Sequence, residues 1–206
     1  MNKVVEEEKL DGTFPFLDNI TVCGHTSEEL KTNDERFKLA VKKYDINLND
    51  LKTTESQTTI PLMGYIVSHG VMKPDPERMR PLMEMSPPHN EQSQKRVVGM
   101  FAHYSRWIQN FSTKIHLLSH NNTFLLPDNV AASLDVLKED LKSAALRPID
   151  PSLPLVVETD ASDHAIAASL NQDGRPIAFF SRMLNASEFN HPSVEKEAYA
   201  IVESLK

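Results

Sequence analysis

The stretch LVVETDASDHAIAASLNQDGRPIAFFSRML, residues 155–184, is the most informative part of the sequence for the fold, because its apolar residues form three short β-prone runs. The second and third runs meet at Asp173-Gly174, a residue pair that favours the tight turn of a β-hairpin. Immediately before the stretch, residues 147–154 (RPIDPSLP) contain three prolines, which interrupt helix and strand patterns. The sequence therefore predicts a domain boundary at 147–154, followed by three successive antiparallel strands.

A helix is predicted after these strands, because Ser193 is a suitable N-cap and apolar residues then recur at helical spacing. The expected apolar stripe consists of Val194, Ala198, Ile201 and Leu205. Glu197 lies within this pattern, so we expect it on the helix face that covers the sheet. Asp160 ends the first strand, and two converging carboxylates would form part of a divalent cation site, since isolated buried acids are costly. The alternative is that Glu197 lies at the edge of the stripe and reaches solvent.

The N-terminal third predicts two hairpins and one helix. Two short strands are expected at 14–16 and 20–23, joined by a turn at 17–19 in which Asp and Asn are favoured residues. Thr26 and Glu29 form a capping box for a helix that ends near residue 45. Residues 60–70 (IPLMGYIVSHG) predict a strand pair, and its glycine at position 64 marks either a tight bend or the close approach of another backbone.

The middle of the chain predicts helices. Asp75 is a suitable N-cap and Pro76 a suitable first helical residue, while Pro81 limits this helix to a few turns. A second helix is expected over residues 91–111, and Asp128 is expected to cap a third. The apolar stripe of the second helix is Val97, Phe101, Tyr104 and Ile108, and that of the third is Val130, Leu134, Leu137 and Leu141.

Basic residues lie beside the stripe of the second predicted helix. These are Lys95, Arg96 and Arg106. Together with Tyr104 and Trp107 they could follow a nucleic acid backbone and stack on bases. The alternative is an amphipathic helix with solvated charges, and the helical spacing favours this core role for Tyr104.

Composition bounds the class of protein. The chain has 206 residues, 40% hydrophobic and 25% charged, which is typical of a soluble globular protein. It has no apolar run of about 18 residues, which predicts no membrane partner, and its single cysteine fits a reducing, intracellular compartment, cytoplasmic or nuclear. The net charge of -7 argues against a simple nucleic acid coat, but residues 72–115 carry a charge of +3.

The order of these motifs resembles the Pol polyprotein of gypsy-class long-terminal-repeat retrotransposons, from the end of the reverse transcriptase palm into the RNase H domain. FLDN at 16–19 resembles the Tyr-X-Asp-Asp motif of the palm hairpin, and 61–70 resembles the primer-grip hairpin. Residues 73–82 and 97–112 resemble the thumb. Residues 156–202 resemble the opening of the family RNase H domain.

The resemblance implies an α+β fold with three parts. Residues 1–71 would be the C-terminal part of the palm, 72–146 the thumb and connection helices, and 147–206 the N-terminal part of a truncated RNase H-like layer. The implied partners are an RNA-DNA hybrid or DNA, bound weakly, and the missing parts of a Pol polyprotein.

The resemblance also implies the site residues. Asp18, Asp160 and Glu197 match catalytic carboxylates that bind Mg²⁺ or Mn²⁺, and Met63, Gly64 and Tyr65 match residues that approach the primer end. Both chemistries of this family use a pair of metal ions about 4 Å apart, each held by several carboxylates. Asn19 replaces the second aspartate of the palm motif, and further carboxylates of both sites are expected before Met1 and after Lys206.

Two functional interpretations follow from the incomplete set of carboxylates. In the first, the chain is a fragment of a reverse transcriptase/RNase H that is not catalytic alone. In the second, it is a non-catalytic, retroelement-derived module that binds nucleic acid or protein. The sequence leaves open whether the chain is itself an enzyme, and whether Asp18 is more than a turn residue.

Overall fold

The computed structural model describes residues 1–17, 19–55 and 57–206. They form two compact units, Met1–Ser56 and Gln57–Lys206. Helices pack against small antiparallel sheets within each unit, so the predicted α+β class is confirmed. None of the helices in this described part of the chain is long and apolar enough to cross a bilayer.

The first unit contains a β-hairpin and two α-helices. Their bounds are α1 Asn2–Glu7, β1 Thr13–Phe16, β2 Asn19–Val22 and α2 Ser27–Lys43. The Thr26 hydroxyl accepts a hydrogen bond from the Glu29 backbone N–H at 3.1 Å, which confirms the predicted N-cap. Asp18, the predicted turn residue, lies outside the described residues. A small buried core consists of Leu10, Phe37, Ala40 and Val41.

The second unit begins with a three-stranded antiparallel sheet in the order β3-β4-β5. The strands are β3 Thr59–Leu62, β4 Tyr65–Ser68 and β5 Val71–Pro74. The sequence predicted only the first two, because the third is short and ends in a proline, which is unfavourable in a sheet interior. Met72 of β5 exchanges backbone hydrogen bonds of 2.7 and 2.9 Å with Leu146, so β5 has hydrogen-bonding partners on both edges.

Four helices follow and enclose the main core. Their bounds are α3 Pro76–Met83, α4 Glu91–His103, α5 Phe111–Ser119 and α6 Asp128–Ser143. The Asp75 carboxylate accepts a hydrogen bond from the Glu77 backbone N–H at 2.9 Å, which confirms the predicted start of α3. The stripes predicted for the second and third helices are buried, and both contribute to one core.

The predicted helix over 91–111 is wrong in its length. A 3-10 turn at Ser105–Trp107 follows α4, and Asn110 adopts a left-handed conformation (φ 53°) before α5. Trp107 and Ile108 are 3% and 1% exposed. Adjacent residues of a continuous α-helix point about 100° apart, so the turn is what allows both side chains to face the core.

Two predicted caps are displaced by one residue. Asp128 and Ser193 are the first helical residues of α6 and α7, and Pro127 and Pro192 occupy the N-cap positions. The proline backbones are extended, with φ near −57° and −58°, which suits the residue before a helix. An acidic first residue still interacts favourably with the helix N-terminus of α6.

The C-terminal sheet confirms the three predicted strands. They are β6 Val156–Ala161, β7 Ala165–Gln172 and β8 Arg175–Met183, in the antiparallel order β6-β7-β8. Asp173 and Gly174 form the turn between β7 and β8 with positive φ values of 51° and 68°, as the sequence indicated. The last helix, α7 Ser193–Ser204, packs against β6 and β7.

The face that α7 buries differs from the predicted one. Its buried residues are Lys196 and Ala200, whereas Glu197 is exposed. The predicted stripe residues Val194, Ala198, Ile201 and Leu205 are also exposed. Ala200 has no exposed surface, and the Lys196 ammonium lies 3.3 Å from the backbone carbonyl oxygen of Asp163. Ala200 and the hydrogen-bonded Lys196 side chain therefore cover the sheet, and the spacing of apolar residues in the sequence does not predict this face of α7.

A polar seam joins the C-terminal sheet to α5. The backbone N–H of Ser112 donates to the Ser181 hydroxyl at 2.8 Å, and the Ser112 hydroxyl donates to the Ser181 carbonyl at 2.7 Å. Phe179, two residues earlier on β8, packs against the helical core. The backbone N–H of Arg147 also donates to the Pro176 carbonyl at 3.0 Å, so the predicted boundary segment begins with a contact to the sheet.

Candidate metal and nucleic-acid sites

A shallow groove runs along β6 and carries the predicted metal ligand Asp160. Its volume is about 160 Å³, and one wall is the turn at Gln109 and Asn110 that precedes α5. The other wall is built from Glu158, Thr159, Asp160, Ala167, Ala168, Ser169 and Phe179. Glu158 and Asp160 lie two residues apart on one strand, so their side chains point to the same face of the sheet.

The two carboxylates of this groove differ in their partners. Glu158 accepts hydrogen bonds from Asn171 Nδ2 at 2.9 Å and from the Ser169 hydroxyl at 3.3 Å. The carboxylate of Asp160 is exposed and has no hydrogen bond or ion pair to any other described residue. Both oxygens of Asp160 are therefore available to a ligand, whereas one oxygen of Glu158 is already engaged.

The donor set of the groove suits a hard divalent cation, because carboxylate and amide oxygens are the ligands that Mg²⁺ prefers. Asp160, Glu158 and the side-chain amides of the Gln109–Asn110 turn all supply such oxygens. Within residues 1–17, 19–55 and 57–206, however, no three His, Cys, Asp or Glu side chains gather as a metal site. The pairing of Asp160 with Glu197 on one ion stays a prediction.

The turn that follows Asp160 is held rigidly. The Ser162 hydroxyl accepts a hydrogen bond from the Ala165 backbone N–H at 3.0 Å and donates one to the Ala165 carbonyl. The ammonium of Lys196 on α7 reaches this turn, 3.5 Å from the Asp163 carboxylate and 5.5 Å from the centre of the Phe189 ring. The lysine next to Glu197 thus fixes α7 to the segment that carries Asp160, a role for which the sequence held no signal.

The loop between β8 and α7 is closed by a bidentate ion pair. Arg182 donates from Nη1 and Nη2 to the two carboxylate oxygens of Glu188, at 2.8 and 3.0 Å. This pair, with a further hydrogen bond from the Asn185 backbone N–H, lowers the pKa of Glu188 to about 2. This ion pair therefore connects the end of β8 to the loop that leads into α7, and it remains charged at neutral pH.

The predicted primer-end residues lie at the turn between β3 and β4. Met63 and Gly64 both have positive φ, 52° and 89°, and the Gly64 carbonyl accepts a hydrogen bond from the Asp75 backbone N–H at 3.2 Å. Met63 is exposed, whereas the half-buried Tyr65 ring lies 5.4 Å from that of Trp107. Gly64 thus occupies a tight bend, the first of the two interpretations that the sequence left open.

The predicted basic residues are exposed but do not share one helix. Lys95 and Arg96 lie on α4, and Arg106 lies in the 3-10 turn beyond its end. Lys95 forms an ion pair with Glu91 one turn earlier, which lowers the pKa of that carboxyl, while the Arg106 guanidinium lies 5.7 Å from the centre of the Trp107 ring. Tyr104 and Trp107 are 8% and 3% exposed and belong to the core, which confirms the core role that the helical spacing favours for Tyr104 and contradicts the alternative of base stacking by this pair.

The chain is similar in sequence to a known domain family and to known polyproteins. Residues 127–206 match the model of an RNase H-like domain found in reverse transcriptase. The chain is 31% identical, over 93% of its length, to the retrovirus-related Pol polyprotein from transposon opus of Drosophila melanogaster, and 24% identical over all of its length to the transposon Tf2-7 polyprotein of Schizosaccharomyces pombe. It spans only 21% and 16% of those relatives.

Solved structures agree on the fold. A foamy viral protease-reverse transcriptase in complex with double-stranded DNA superposes with a TM-score of 0.84 at 20% identity, over 99% of this chain and 38% of that one. The same kind of protein in complex with an RNA/DNA hybrid gives a TM-score of 0.77 at 19% identity, over 99% of this chain and 29% of that one. The predicted resemblance to gypsy-class Pol polyproteins is confirmed by the sequence comparisons with the RNase H-like domain and with the two transposon polyproteins.

Proposed function

We propose that this chain serves RNA-directed DNA synthesis and RNA strand cleavage as part of a larger reverse transcriptase/RNase H. Its similarity to transposon Pol polyproteins, and the match of residues 127–206 to the RNase H-like domain found in reverse transcriptase, support this proposal. In this proposal 1–71 is the end of the palm, 72–146 the thumb and connection, and 147–206 the start of the RNase H-like domain, although the family match begins earlier, at residue 127, and so includes α6. The observation that carries it is the unpartnered Asp160 carboxylate in an open groove of the RNase H-like sheet.

Proteins with this domain generally use divalent metals. We assign Asp160 and Glu197 to a Mg²⁺ or Mn²⁺ site for RNA cleavage, and Asp18 to the separate site for DNA synthesis. Of the two ions of such a site, one would activate the attacking oxygen and the other would stabilise the leaving one. The chain itself contributes the positions of the ligands: Lys196 and the turn at Ser162 hold the helix and strand that carry them.

A nucleic acid strand is proposed to contact the exposed cations and the β3–β4 turn. Arg96 has no ion-pair partner in the described parts of the chain, and Arg106 is supported by the Trp107 ring, so both can neutralise phosphates. Lys95 contributes less, because Glu91 already compensates its charge. Met63, Gly64 and Tyr65 supply the backbone and side chains that meet the primer end. We expect weak binding, because the chain carries -7 overall.

We expect no turnover from the 206-residue chain alone, because a two-metal site needs more carboxylates than Asp160 and Glu197 provide. An RNA-DNA hybrid cleavage assay and a primer-extension assay, each with Mg²⁺ and Mn²⁺, measure this. Robust activity that is lost in Asp160→Ala or Asp18→Ala would contradict it.

Metal binding is tested independently of activity. Paramagnetic Mn²⁺ should broaden the backbone NMR signals of Ala161 and Ala198, and Asp160→Asn should abolish the effect. Asp173→Asn, which removes the same charge at the β7–β8 turn, is the matched control and should leave the broadening unchanged. Broadening that persists in Asp160→Asn, or none at either amide, would remove the metal assignment and favour a non-catalytic interaction module.

A further inference from the structure

Arg78 of α3 lies directly over the β3–β4 turn. A Cβ atom placed on Gly64 would be 2.8 Å from Arg78 Nη1 and 3.2 Å from its Cδ and Cζ. The shortest of these distances is one that a real Cβ atom does not adopt unless the neighbour moves, so the arginine occupies the space that the glycine leaves. The turn and the start of α3 are also joined by the hydrogen bond from the Asp75 N–H to the Gly64 carbonyl. The guanidinium therefore has a defined place beside the turn.

The charge of Arg78 is only loosely compensated. Its side chain is 67% exposed, and its nearest carboxylate, that of Asp75, lies 4.0 Å away while accepting the N-cap hydrogen bond of α3. Arg80 on the same helix differs: it lies 3.1 Å from Glu77 and has a similar exposure of 60%. Two arginines of one helix thus share charge and exposure, but only Arg78 contacts the turn.

A second arginine, Arg106, is linked to the residue after the turn through two aromatic rings. The ring of Tyr65, the residue after the turn, lies 5.4 Å from the ring of Trp107. The guanidinium carbon of Arg106 lies 5.7 Å from the centre of that same Trp107 ring. Arg78 thus contacts the Met63–Gly64 tip itself, and Arg106 is linked to the strand that follows the tip through two aromatic rings.

We propose that Arg78 binds a backbone phosphate of the nucleic acid strand that reaches the Met63–Gly64 tip, and so sets the position of that strand on the protein. This inference rests on the proposed nucleic-acid function. A guanidinium presents a planar fork of donors that matches two phosphate oxygens, which a lysine does not reproduce. Phosphate contacts of this kind fix register and orientation rather than sequence preference.

The test measures binding of a fluorescein-labelled RNA-DNA hybrid by anisotropy at several salt concentrations, using the full 206-residue chain. Arg78→Ala should weaken binding roughly three- to tenfold at low salt and make the slope of log affinity against log salt less negative by about 0.7–0.9, the value for one lost phosphate contact. Arg80→Ala, the matched control, should change affinity less than about twofold, since its charge is already paired.

The Arg78→Lys variant distinguishes the contribution of the bidentate guanidinium geometry from that of the positive charge. It should recover part of the lost affinity and restore the salt slope, because the charge remains while the bidentate geometry is lost. Circular-dichroism melts of each variant show whether the fold is intact, and if Arg78→Ala unfolds, Arg78→Lys against Arg80→Lys supplies the same comparison. Full affinity in Arg78→Lys would refute the requirement for a fork.

Other outcomes discriminate further. Equal losses in Arg78→Ala and Arg80→Ala would indicate general electrostatic attraction and overturn the inference. Wild-type affinity in Arg78→Ala, with weakened binding in the Arg96→Ala/Arg106→Ala double variant, would overturn it while leaving the proposed function intact. Wild-type affinity in every variant would refute both.

Discussion

Replacing Glu188 by Gln should destabilise the C-terminal sheet measurably and in a pH-dependent way. The substitution keeps the shape of the side chain but removes the charge that Arg182 binds through two hydrogen bonds of 2.8 and 3.0 Å. The Glu188 side chain is 13% exposed and that of Arg182 31%, so solvent screens the pair only partly. Charge-assisted hydrogen bonds contribute about 1.5–3 kcal/mol when buried and less when hydrated, so we expect a loss of about 1–2 kcal/mol at pH 7.

The pH dependence follows from the direction of the pKa shift. The Glu188 carboxyl has a pKa of about 2 in the folded chain, below its usual value of 4.5, chiefly because of Arg182. Its ionised form therefore stabilises the folded state above the unfolded pKa, and that contribution is lost as the pH falls through the range between the two values. The difference between wild type and Glu188→Gln should be constant near pH 7 and shrink between about pH 4.5 and 2.

Urea denaturation monitored by circular dichroism, repeated at several pH values, measures this difference. Glu139→Gln is the matched control, because Glu139 pairs with Lys142 on the surface of α6 at 70% exposure and should change stability by less than about 0.5 kcal/mol. If Glu188→Gln denatures at the wild-type midpoint at pH 7, or if its deficit does not shrink on acidification, the assigned role of this ion pair is wrong.

Three further substitutions probe the core and the turn. Leu137→Ala, at a position with no exposed surface, should cost about 2–5 kcal/mol and lower the midpoint of thermal unfolding followed by calorimetry. Gln94→Leu removes the buried amide that donates to the Asn121 carbonyl at 2.9 Å and also to the Leu118 carbonyl, and should cost about 1–3 kcal/mol in the same measurement. Gly64→Ala forces a side chain into φ 89° and against Arg78, so it should cost at least about 1 kcal/mol in urea; an unchanged midpoint would show that the arginine moves freely.

Local signals in the sequence predicted the elements whose cause is itself local. The turn pair Asp173-Gly174, the cap Asp75 and the buried stripe of α6 were all predicted correctly, because turn conformation, capping and helical spacing depend on neighbouring residues. The end of α4 was predicted wrongly, because it depends on the packing of Trp107 against the rest of the core. The buried face of α7 was also wrong, since the partner of Lys196 lies on the distant β6–β7 turn.

The residues of the candidate sites also differ in whether the sequence alone can predict them. Asp160 could be found from the sequence because it ends a strand, and the structure leaves its carboxylate accessible in a groove. Arg78 could not, because its position depends on a glycine fourteen residues earlier that is brought close only by the fold. Lys95 is the opposite case: its charge is compensated by Glu91 one helical turn earlier, a spacing that the sequence itself shows.

The polar seam between α5 and β8 limits the width of the groove beside Asp160. One wall of the groove is the turn at Asn110, two residues before Ser112, and Phe179 on the other side lies two residues before Ser181. The two hydrogen bonds between Ser112 and Ser181 therefore hold the two walls of the groove at a fixed distance from each other. Widening the groove would require both bonds to break, at a net cost of about 1–3 kcal/mol. If the proposed strand or ion enters the groove, its size has to match a gap whose width these two hydrogen bonds limit.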